Sequence, residues 1–422
     1  MLDLPSRILL GIWVAWVAQA LLATLAVFWT GYKLRRRIRL QRGQLPRISV
    51  VVSFRGSSES LPDDIRSLCQ QDYPKYELIC TVSSQSDPAH AVLVEHLPRY
   101  PDCSAQILLT GNAGPSVGPT VHDRLMAIER LDRKCNDEDL LVFCDADAAT
   151  NPHWLSILIA PVQRSTMTAL SCTYRWLVPF EGERPTMWFH LASILESSAA
   201  CQRWRYVLNQ AWGGAMALKV GVLRRGNLRA RLAGSLTDDF QAADAASDMW
   251  MMGRFVPRCM IASSARFDFA SFISHARRRY IITRMTARRI YFTAFLLTGL
   301  YVAGFLSVPA FLLATELNLW RTPLEWPLAA GAAGAVFLLN QIRSTLRGWV
   351  VKRAFGPEIR KRMRATLRWD RWLTTVWMTV HWLVIVSCIV GRMVTLDGVR
   401  YRLRGAQRVS RYVPRPVEYV EV

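Results

Sequence analysis

The sequence has few acidic residues and lacks the common glycine-rich nucleotide motifs. Among 422 residues, 32 are aspartate or glutamate and 53 are lysine or arginine, so the formal net charge is +21. No G-x-G-x-x-G follows the first strand-like segment and no G-x-x-x-x-G-K-[ST] occurs, which argues against a dinucleotide oxidoreductase and a P-loop motor. The nine cysteines include no C-x-x-C pair and fit reduced thiols better than a disulfide framework or a zinc site.

Charged residues are also absent from residues 8–30, an apolar run long enough to cross a hydrocarbon core of about 30 Å. The basic stretch KLRRRIRLQR follows this run and marks its cytoplasmic end. A cleaved signal peptide carries its positive charge before the apolar run, so an uncleaved anchor with an outside N-terminus is expected. Further apolar blocks at 291–315, 326–339 and 372–391 predict a C-terminal membrane bundle.

Basic residues cluster beside these apolar runs, at 33–42, 277–289, 343–371 and 392–415. Positive-inside bias and attraction to an anionic lipid surface explain this placement, so no nucleic-acid partner is expected. The sequence predicts a multi-pass integral membrane protein with a cytosolic central domain, located in the inner membrane if the cell is bacterial. Four full spans would place the basic tail outside, so either one block is re-entrant or interfacial or the tail is an exception to the rule.

The segment between the first two apolar blocks alternates strand-like and helix-like patterns. RISVVVSF, YELICTVSS, SAQILLTG and LLVFC have the pattern of strands, and helical stretches separate them. Buried strands joined by helical crossovers predict a parallel α/β sheet covered on both faces. The predicted domains are an anchor at 1–32, a cytosolic α/β domain at 45–290, a membrane bundle at 291–395 with a basic interfacial segment at 343–371, and a basic tail at 396–422.

Two aspartates, Asp145 and Asp147, follow the apolar strand LLVFC directly. The same D-x-D pattern occurs at 137–139, but there it precedes the strand in a polar loop. Ligands of open α/β sheets bind beyond the carboxyl ends of the strands, so the second pair is the candidate site. Oxygen ligands suit Mg²⁺ or Mn²⁺ bridging a diphosphate. The alternative is a polar strand end without a ligand.

Three further motifs follow in the chain. The loop of WGGAMAL contains Gly213 and Gly214, which allow the backbone to approach a ligand closely. SLTDDFQAAD contains Asp238 and Asp239, whose alternative role is to face a helix dipole beside a capping threonine. The arginines of HARRRY suit a phosphate pair, although membrane-surface charge explains them nearly as well.

The ordered motifs resemble those of the family 2 glycosyltransferases with a GT-A fold, most closely the ceramide glucosyltransferase-like branch. The matching elements are VVVSFRG, SLCQQDYPKYEL, SSQSDPA, FCDADAATNPHWL, WGGAMAL, LTDDFQAAD, an arginine-rich box and VTLDGVRYRL. Two elements depart from the relatives. Arg279-Tyr280 stands where [QR]-x-x-R-W is common, and GPTVHDRL lacks the lysine of G-Q-K-x-H-N.

The resemblance implies an α/β GT-A domain with a mixed, mostly parallel sheet and transmembrane helices at both ends. It implies that Asp239 is the catalytic base with Asp238 as its acidic neighbour, and that Asp145 and Asp147 hold Mg²⁺ or Mn²⁺ and the diphosphate. The substrate-binding residues that it implies are Asp87, which contacts the nucleotide base, and Arg55, Gly213, Gly214, Arg278 and Arg279.

The expected activity is transfer of a hexose, glucose in first place, from a UDP-sugar donor to a membrane lipid acceptor such as ceramide. The reaction inverts the anomeric carbon in one displacement. Two alternatives remain open at this stage. One is a processive polysaccharide synthase of the same family, and the other is a catalytically silent membrane protein that binds a nucleotide sugar.

Overall fold

The computed structural model describes residues 3–35, 45–148, 151–202, 211–320, 322, 324–396 and 398–412. The strands are β1 Ile48–Ser53, β2 Tyr76–Val82, β3 Ser104–Leu109, β4 Leu140–Cys144, β5 Thr168–Cys172, β6 Arg175–Val178, β7 Ala215–Lys219, β8 Met252–Phe255, β9 Ile261–Ser264, β10 Met393–Leu396, β11 Val399–Gly405 and β12 Arg408–Arg411. The helices are α1 Leu4–Lys33, α2 Leu61–Cys69, α3 Pro88–His96, α4 Pro119–Asp132, α5 Trp154–Arg164, α6 Met187–Cys201, α7 Val220–Arg225, α8 Leu228–Leu232, α9 Asp239–Asp248, α10 Phe269–Thr286, α11 Arg288–Glu316, α12 Trp326–Arg362, α13 Arg364–Trp372 and α14 Thr374–Ser387.

Seven strands form the central sheet, in the order β3-β2-β1-β4-β7-β5-β8. The first four strands in the chain pair in parallel, and β5 pairs in parallel with β8. Strand β7 runs antiparallel to both of its neighbours, β4 and β5. The expectation of a mixed, mostly parallel sheet is therefore confirmed. Helices α2, α3 and α5 cover one face of the sheet with apolar side chains, and α4, α7, α8 and α9 cover the other.

The reversed strand β7 decides where the candidate site lies. Since β7 runs antiparallel to β4, the loop before β7 lies at the same sheet edge as the residues that follow β4. The amide of Asp145 donates a hydrogen bond to the carbonyl oxygen of Gly214 at 2.8 Å. The D-x-D and Gly-Gly motifs, about seventy residues apart in the chain, thus meet at the carboxyl edge of the sheet, where ligands of α/β sheets bind.

Each of the predicted apolar blocks is helical. In the described part of the chain, α1 and α11 are long and apolar enough to cross a membrane, and α14 is apolar but shorter. The block at 326–339 is the first part of α12, which continues through the basic residues to a kink at Gly356. Most of the basic flank after the first block, residues 36–42, lies outside the described residues.

Two arginines of the segment predicted to be interfacial are buried inside the protein. Arg347 and Arg343 lie 2.8 and 3.6 Å from one carboxylate oxygen of Asp370, and all three side chains are at most 6 % exposed. Arg347 also donates to the Ser198 hydroxyl on α6 at 3.1 Å. These charges therefore join α12 and α13 to α6, which lies between β6 and β7 in the chain.

The segment predicted as a basic tail begins with regular structure. Strands β10, β11 and β12 form a three-stranded antiparallel sheet. Alternate residues of β11 are buried, among them Tyr401 and Leu403, as expected of a sheet with one covered face. Residues 413–422 of the predicted tail lie outside the described residues.

We expect Asp370→Asn to destabilise the protein by about 3–5 kcal/mol, because two buried arginines then lose their counter-charge. Thermal unfolding in detergent measures the loss. The control is Glu183→Gln, which removes the acid of an exposed pair with Arg266 and should cost no more than about 1 kcal/mol. Equal melting temperatures for the two variants would contradict the importance of the buried cluster.

Candidate active site

A buried arginine on α4, Arg124, lies at the centre of the site. Its guanidinium forms an ion pair with Asp238 and donates a hydrogen bond to the Gly213 carbonyl oxygen at 2.7 Å. The same group lies 3.9 Å from a carboxylate oxygen of Asp145. The three partners come from the end of β4, the loop before β7 and the start of α9. One side chain therefore fixes the relative positions of three motifs.

Sequence reasoning did not single out Arg124. It stands in GPTVHDRL, which drew attention for the lysine that it lacks. On α4, Val121, Arg124, Ile128 and Leu131 are buried along one face at helical spacing. A charged residue within an otherwise apolar helical stripe was therefore the available signal, because a buried charge needs a partner.

Gly213 is required for the close approach of its neighbours. A Cβ atom at this position would lie 2.6 Å from a carboxylate oxygen of Asp238 and 3.1 Å from an Arg124 nitrogen. The Gly213 amide also faces the carboxylate of Asp239, which accepts a second hydrogen bond from the Phe240 amide at 2.8 Å. The Gly-Gly loop thus contacts both aspartates of the SLTDDFQAAD motif.

Asp239 is half-buried at the start of α9. Burial and the neighbouring charge of Asp238 raise the pKa of Asp239 from 3.8 to about 6. A carboxylate with this pKa is ionised at neutral pH yet basic enough to accept a proton. The helix-capping alternative fits less well, since Asp238 rather than Thr237 occupies the N-cap and its side chain makes no capping hydrogen bond.

Asp145 and Asp147 lie side by side beyond β4, in different surroundings. Asp145 faces Arg124 and, at 3.6 Å, Arg175, whereas Asp147 is exposed and accepts a hydrogen bond from Ser263 at 3.0 Å. The upstream pair at 137–139 lies at the opposite end of β4, where Asp137 pairs with Arg224 at 2.5 Å. The D-x-D motif at 137–139 therefore lies in a surface turn, as expected.

The residues present fit a divalent cation in part. No cluster of three or more histidine, cysteine, aspartate or glutamate side chains that could hold a metal ion occurs among the described residues. Although the Asp147 side chain is exposed, desolvation by the surrounding protein and the charge of Asp145 raise the pKa of Asp147, so the neighbouring charge disfavours the ionised form of Asp147. A cation between them would relieve this repulsion, and its other ligands would have to come from a diphosphate and water.

The predicted arginines Arg278 and Arg279 reach the site from α10. Arg279 forms an ion pair with Glu196 and donates to the Tyr174 hydroxyl, and its guanidinium lies over the Tyr174 ring. His275, one turn earlier on α10, contacts Glu196 at 2.7 Å. Glu196 is only 2 % exposed. Arg279 is thus held beside the cavity by a buried carboxylate, which membrane-surface charge alone does not explain.

These groups surround one cavity of about 250 Å³. Among the residues that the structure describes, four acidic residues and four arginines line it, so their charges nearly balance. The predicted residues in its lining are Asp145, Gly213, Gly214, Asp238, Asp239, Arg278 and Arg279. Additional lining residues are Arg124, Arg175, Glu196, Trp212 and His275.

Three predicted site residues lie at the same sheet edge but outside the cavity lining. Asp87 caps α3, accepting hydrogen bonds from the amides of Ala89 and Gly56 at 3.0 and 2.8 Å. Arg55 donates to buried Asp123 at 2.7 Å. Asp147 is the third. Asp87 therefore acts as a helix cap. A contact of Asp87 or Arg55 with substrate remains a prediction.

Comparison with known proteins yields one family and several distant structures. The model of Glycosyl transferase family 21 matches residues 14–349. A mannosyltransferase from Pyrobaculum calidifontis in complex with GDP-Man and Mn²⁺ is 16% identical, covers 90% of this chain and 97% of its own, and has a TM-score of 0.44. Glucosyl-3-phosphoglycerate synthase from Mycobacterium tuberculosis in complex with Mn²⁺ and UDP-glucose is 14% identical, covers 58% and 79%, and has a TM-score of 0.36.

Both TM-scores are below 0.5, which is too low for either structure to assign a fold or a substrate to this chain. The family match is different, because it spans well over half of the 422 residues and includes every residue placed in the site above. The resemblance to glycosyltransferases is confirmed, and the family 2 label was coarser than the family that matches. The chain belongs to glycosyl transferase family 21.

Proposed function

We propose that this chain is a membrane-bound, inverting GT-A glycosyltransferase. It moves a hexose, with glucose as the first candidate, from a UDP-sugar to a hydroxyl of a membrane lipid such as ceramide. One observation carries the proposal. Asp239, with a pKa near neutrality, shares a cavity with the glycine loop and with the arginines of α4 and α10. A base and a cationic wall around one space are what transfer from a diphosphate requires.

Asp239 is the proposed general base. Its carboxylate takes the proton from the acceptor hydroxyl as that oxygen attacks the anomeric carbon of the sugar. The new carbon–oxygen bond forms while the bond to the diphosphate oxygen breaks, and UDP leaves with the bonding electron pair. Attack from the side opposite the leaving group inverts the configuration in one step, without a covalent intermediate.

Arginines act on the leaving group in this proposal. Arg278 and Arg279 face the cavity from α10, and Glu196 holds the guanidinium of Arg279 in place. Since the charges of the described lining residues nearly balance, a bound diphosphate would add net negative charge. Mg²⁺ or Mn²⁺ held by Asp145 and Asp147 would neutralise much of that added charge. Gly213 and Gly214, which line the cavity beside Asp145, are assigned contact with the donor through their backbone.

The nucleotide base is assigned to the neighbouring strand ends. Asp87 follows β2 and Arg55 follows β1, both at the sheet edge where Asp145 lies. Asp87 holds the amide of Gly56, so it also orders the loop that contains Arg55. From this placement we assign contact with the nucleotide base to Asp87 and contact with the donor to Arg55.

A lipid acceptor fits the position of the site beside the apolar helices. The arginine helix α10 ends at Thr286, and α11, which is long enough to span a membrane, begins at Arg288. The cavity is also lined by the apolar side chains Leu236, Ile282 and Leu396. We place the protein in a membrane as a multi-pass protein with a cytosolic site, facing an anionic lipid surface.

Asp239→Asn tests the base directly. We expect the purified variant to lose about 10²- to 10⁴-fold in UDP release from UDP-glucose, because general base catalysis contributes about that much. The assay offers ceramide and other lipids in mixed micelles. The matched control is Asp244→Asn on the same helix, which removes the acid of an exposed pair with Arg231 and should keep wild-type activity.

Other results of the same assay favour the alternatives. A polymeric product would favour a processive polysaccharide synthase. Binding of UDP and Mn²⁺ without UDP release on any lipid would favour a silent binding protein. Wild-type activity in Asp239→Asn would exclude Asp239 as the base.

The raised pKa of Asp239 gives activity and stability opposite pH dependences. The base works when ionised, so kcat/KM should fall about tenfold per pH unit as pH drops below about 6. A folded-state pKa above 3.8 means that the fold binds this proton more tightly than the unfolded chain, and this stabilisation is lost as pH rises through about 6.

Asp239→Asn should therefore be more stable than the wild type at pH 8, by about 1–3 kcal/mol, and equally stable near pH 4. Thermal unfolding at the two pH values measures the difference. A variant that is inactive and less stable at pH 8 would be misfolded, and would count against this assignment.

Metal removal tests the roles of Asp145 and Asp147. We expect EDTA to abolish UDP release and Mn²⁺ to restore it. Asp145→Asn should weaken Mn²⁺ binding in the presence of UDP by at least about tenfold, measured by calorimetry. Asp137→Asn in the upstream pair is the control and should bind Mn²⁺ normally. Full activity in EDTA would contradict the proposed metal dependence.

A further inference from the structure

The turn between β11 and β12 contacts the chain on both sides of the proposed base. The Ser235 hydroxyl donates to the carbonyl oxygen of Ala406 at 3.0 Å. The side-chain nitrogen of Gln241 donates to the same carbonyl at 3.2 Å, and its side-chain oxygen accepts from the side-chain amide of Gln407 at 3.2 Å. Ser235 and Gln241 are both at most 3 % exposed. Hydrogen bonds from two buried side chains therefore fasten both ends of the segment that carries Asp238 and Asp239.

Gly234 shows how closely this turn approaches. Its φ is +78°, and a Cβ atom there would lie 2.5 Å from the carbonyl oxygen of Gln407. Only glycine tolerates both this backbone conformation and this contact without a shift. The turn from the end of the chain is thus seated directly on the backbone four residues before Asp238.

The same C-terminal segment also holds the other carriers of site residues. The amide of Arg411 donates to the carbonyl oxygen of Pro115, in the loop that leads to α4 and Arg124. Arg277 and Arg284 on α10 donate to carbonyl oxygens between α14 and β10, those of Ser387 and of Ile389 and Gly391. Leu396 on β10 lines the cavity. The C-terminal segment thus contacts residues 234–241, the loop before α4, helix α10 and the cavity itself.

We infer that the C-terminal sheet β10–β12 is a positioning element of the active site, with Gln241 and Gln407 as positioning residues that hold the proposed base over the cavity. The inference rests on the proposed function, since it needs Asp239 to be the base. A displacement of about 1 Å can cost about a hundredfold in rate. The sheet contacts residues 234–241 through Gly234, Ser235 and Gln241, whereas Arg124 holds Asp238.

Gly234→Ala tests the contact. The new methyl group must push the Gln407 carbonyl away, so kcat should fall about 10- to 100-fold while KM for UDP-glucose stays within about twofold. The assay is UDP release with UDP-glucose and ceramide in mixed micelles. Gly182→Ala is the matched control, because Gly182 has a φ of +75° and nothing within 4 Å of its Cβ position. It carries the same backbone strain without the contact.

A second variant avoids backbone strain. Gln241→Met keeps the shape of the side chain and removes both hydrogen bonds to the turn. Loosening the segment lessens the burial of Asp239 and its proximity to Asp238, which raise its pKa. The acidic limb of the pH profile should therefore move to lower pH in Gly234→Ala and Gln241→Met. A purely structural role would lower the melting temperature and leave kcat per folded molecule and this limb unchanged, which would overturn the inference.

Hydrogen exchange separates this inference from the proposed function. Amides of residues 234–241 should exchange at least about tenfold faster in Gly234→Ala than in Gly182→Ala and the wild type. No UDP release by the wild type with any lipid would overturn the proposed function, while the exchange result would still support positioning by the sheet. Unchanged exchange in Gly234→Ala would overturn the positioning inference even in an active enzyme.

Discussion

The buried ion pair between Arg124 and Asp238 is the constraint on which the site depends. A guanidinium that is 2 % exposed cannot stay without a counter-charge, because an unpaired buried ion costs several kcal/mol. Asp238 supplies that charge only when the start of α9 lies against α4, and the Gly213 carbonyl fills a further donor position of Arg124. The pair therefore contributes less to stability than to the single arrangement in which Asp239 faces the cavity. Gly213 belongs to the same constraint, since a side chain there would separate the two ions.

The site uses the scarce acidic residues of a strongly basic chain as buried counter-ions. Asp238 neutralises Arg124, and Glu196 neutralises Arg279 and contacts His275. Each of these carboxylates is nearly inaccessible to water, so each orients its arginine more firmly than a surface pair would. Arginines fixed in this way need no reorganisation when negative charge develops on a leaving group, which is the electrostatic condition for catalysis. Asp239 differs from both because burial and the charge of Asp238 raise its pKa.

Local pattern predicted the elements of the fold, and non-local pairing accounts for what it missed. The first four strands of the sheet and the helices between them are coded by apolar runs and helical periodicity, and the structure has them within a few residues of the prediction. The position of Asp145 followed from the rule for strand ends. The antiparallel insertion of β7, the pairing of Arg124 with Asp238 and the seating of Gln407 on Gly234 join residues at least 44 apart. No local pattern encodes which of several buried charges will meet. For the same reason Arg343 and Arg347 were read as surface charge, although a single aspartate, Asp370, keeps both inside.

The departure of the arginine box from the common pattern has a structural reading in this chain. Tyr280 stands where relatives often have tryptophan, and its hydroxyl is hydrogen-bonded to His381 on α14. The preceding residue, Arg279, points the other way, to Glu196 and the cavity. Two neighbouring residues of α10 therefore contact different parts of the protein: Arg279 contacts the site and Tyr280 contacts the apolar helix α14. An aromatic ring with a polar tip can make both the packing and the hydrogen bond that this boundary requires. Arg279 thus lies at the site, while Tyr280 contacts α14, the apolar helix against which α10 packs.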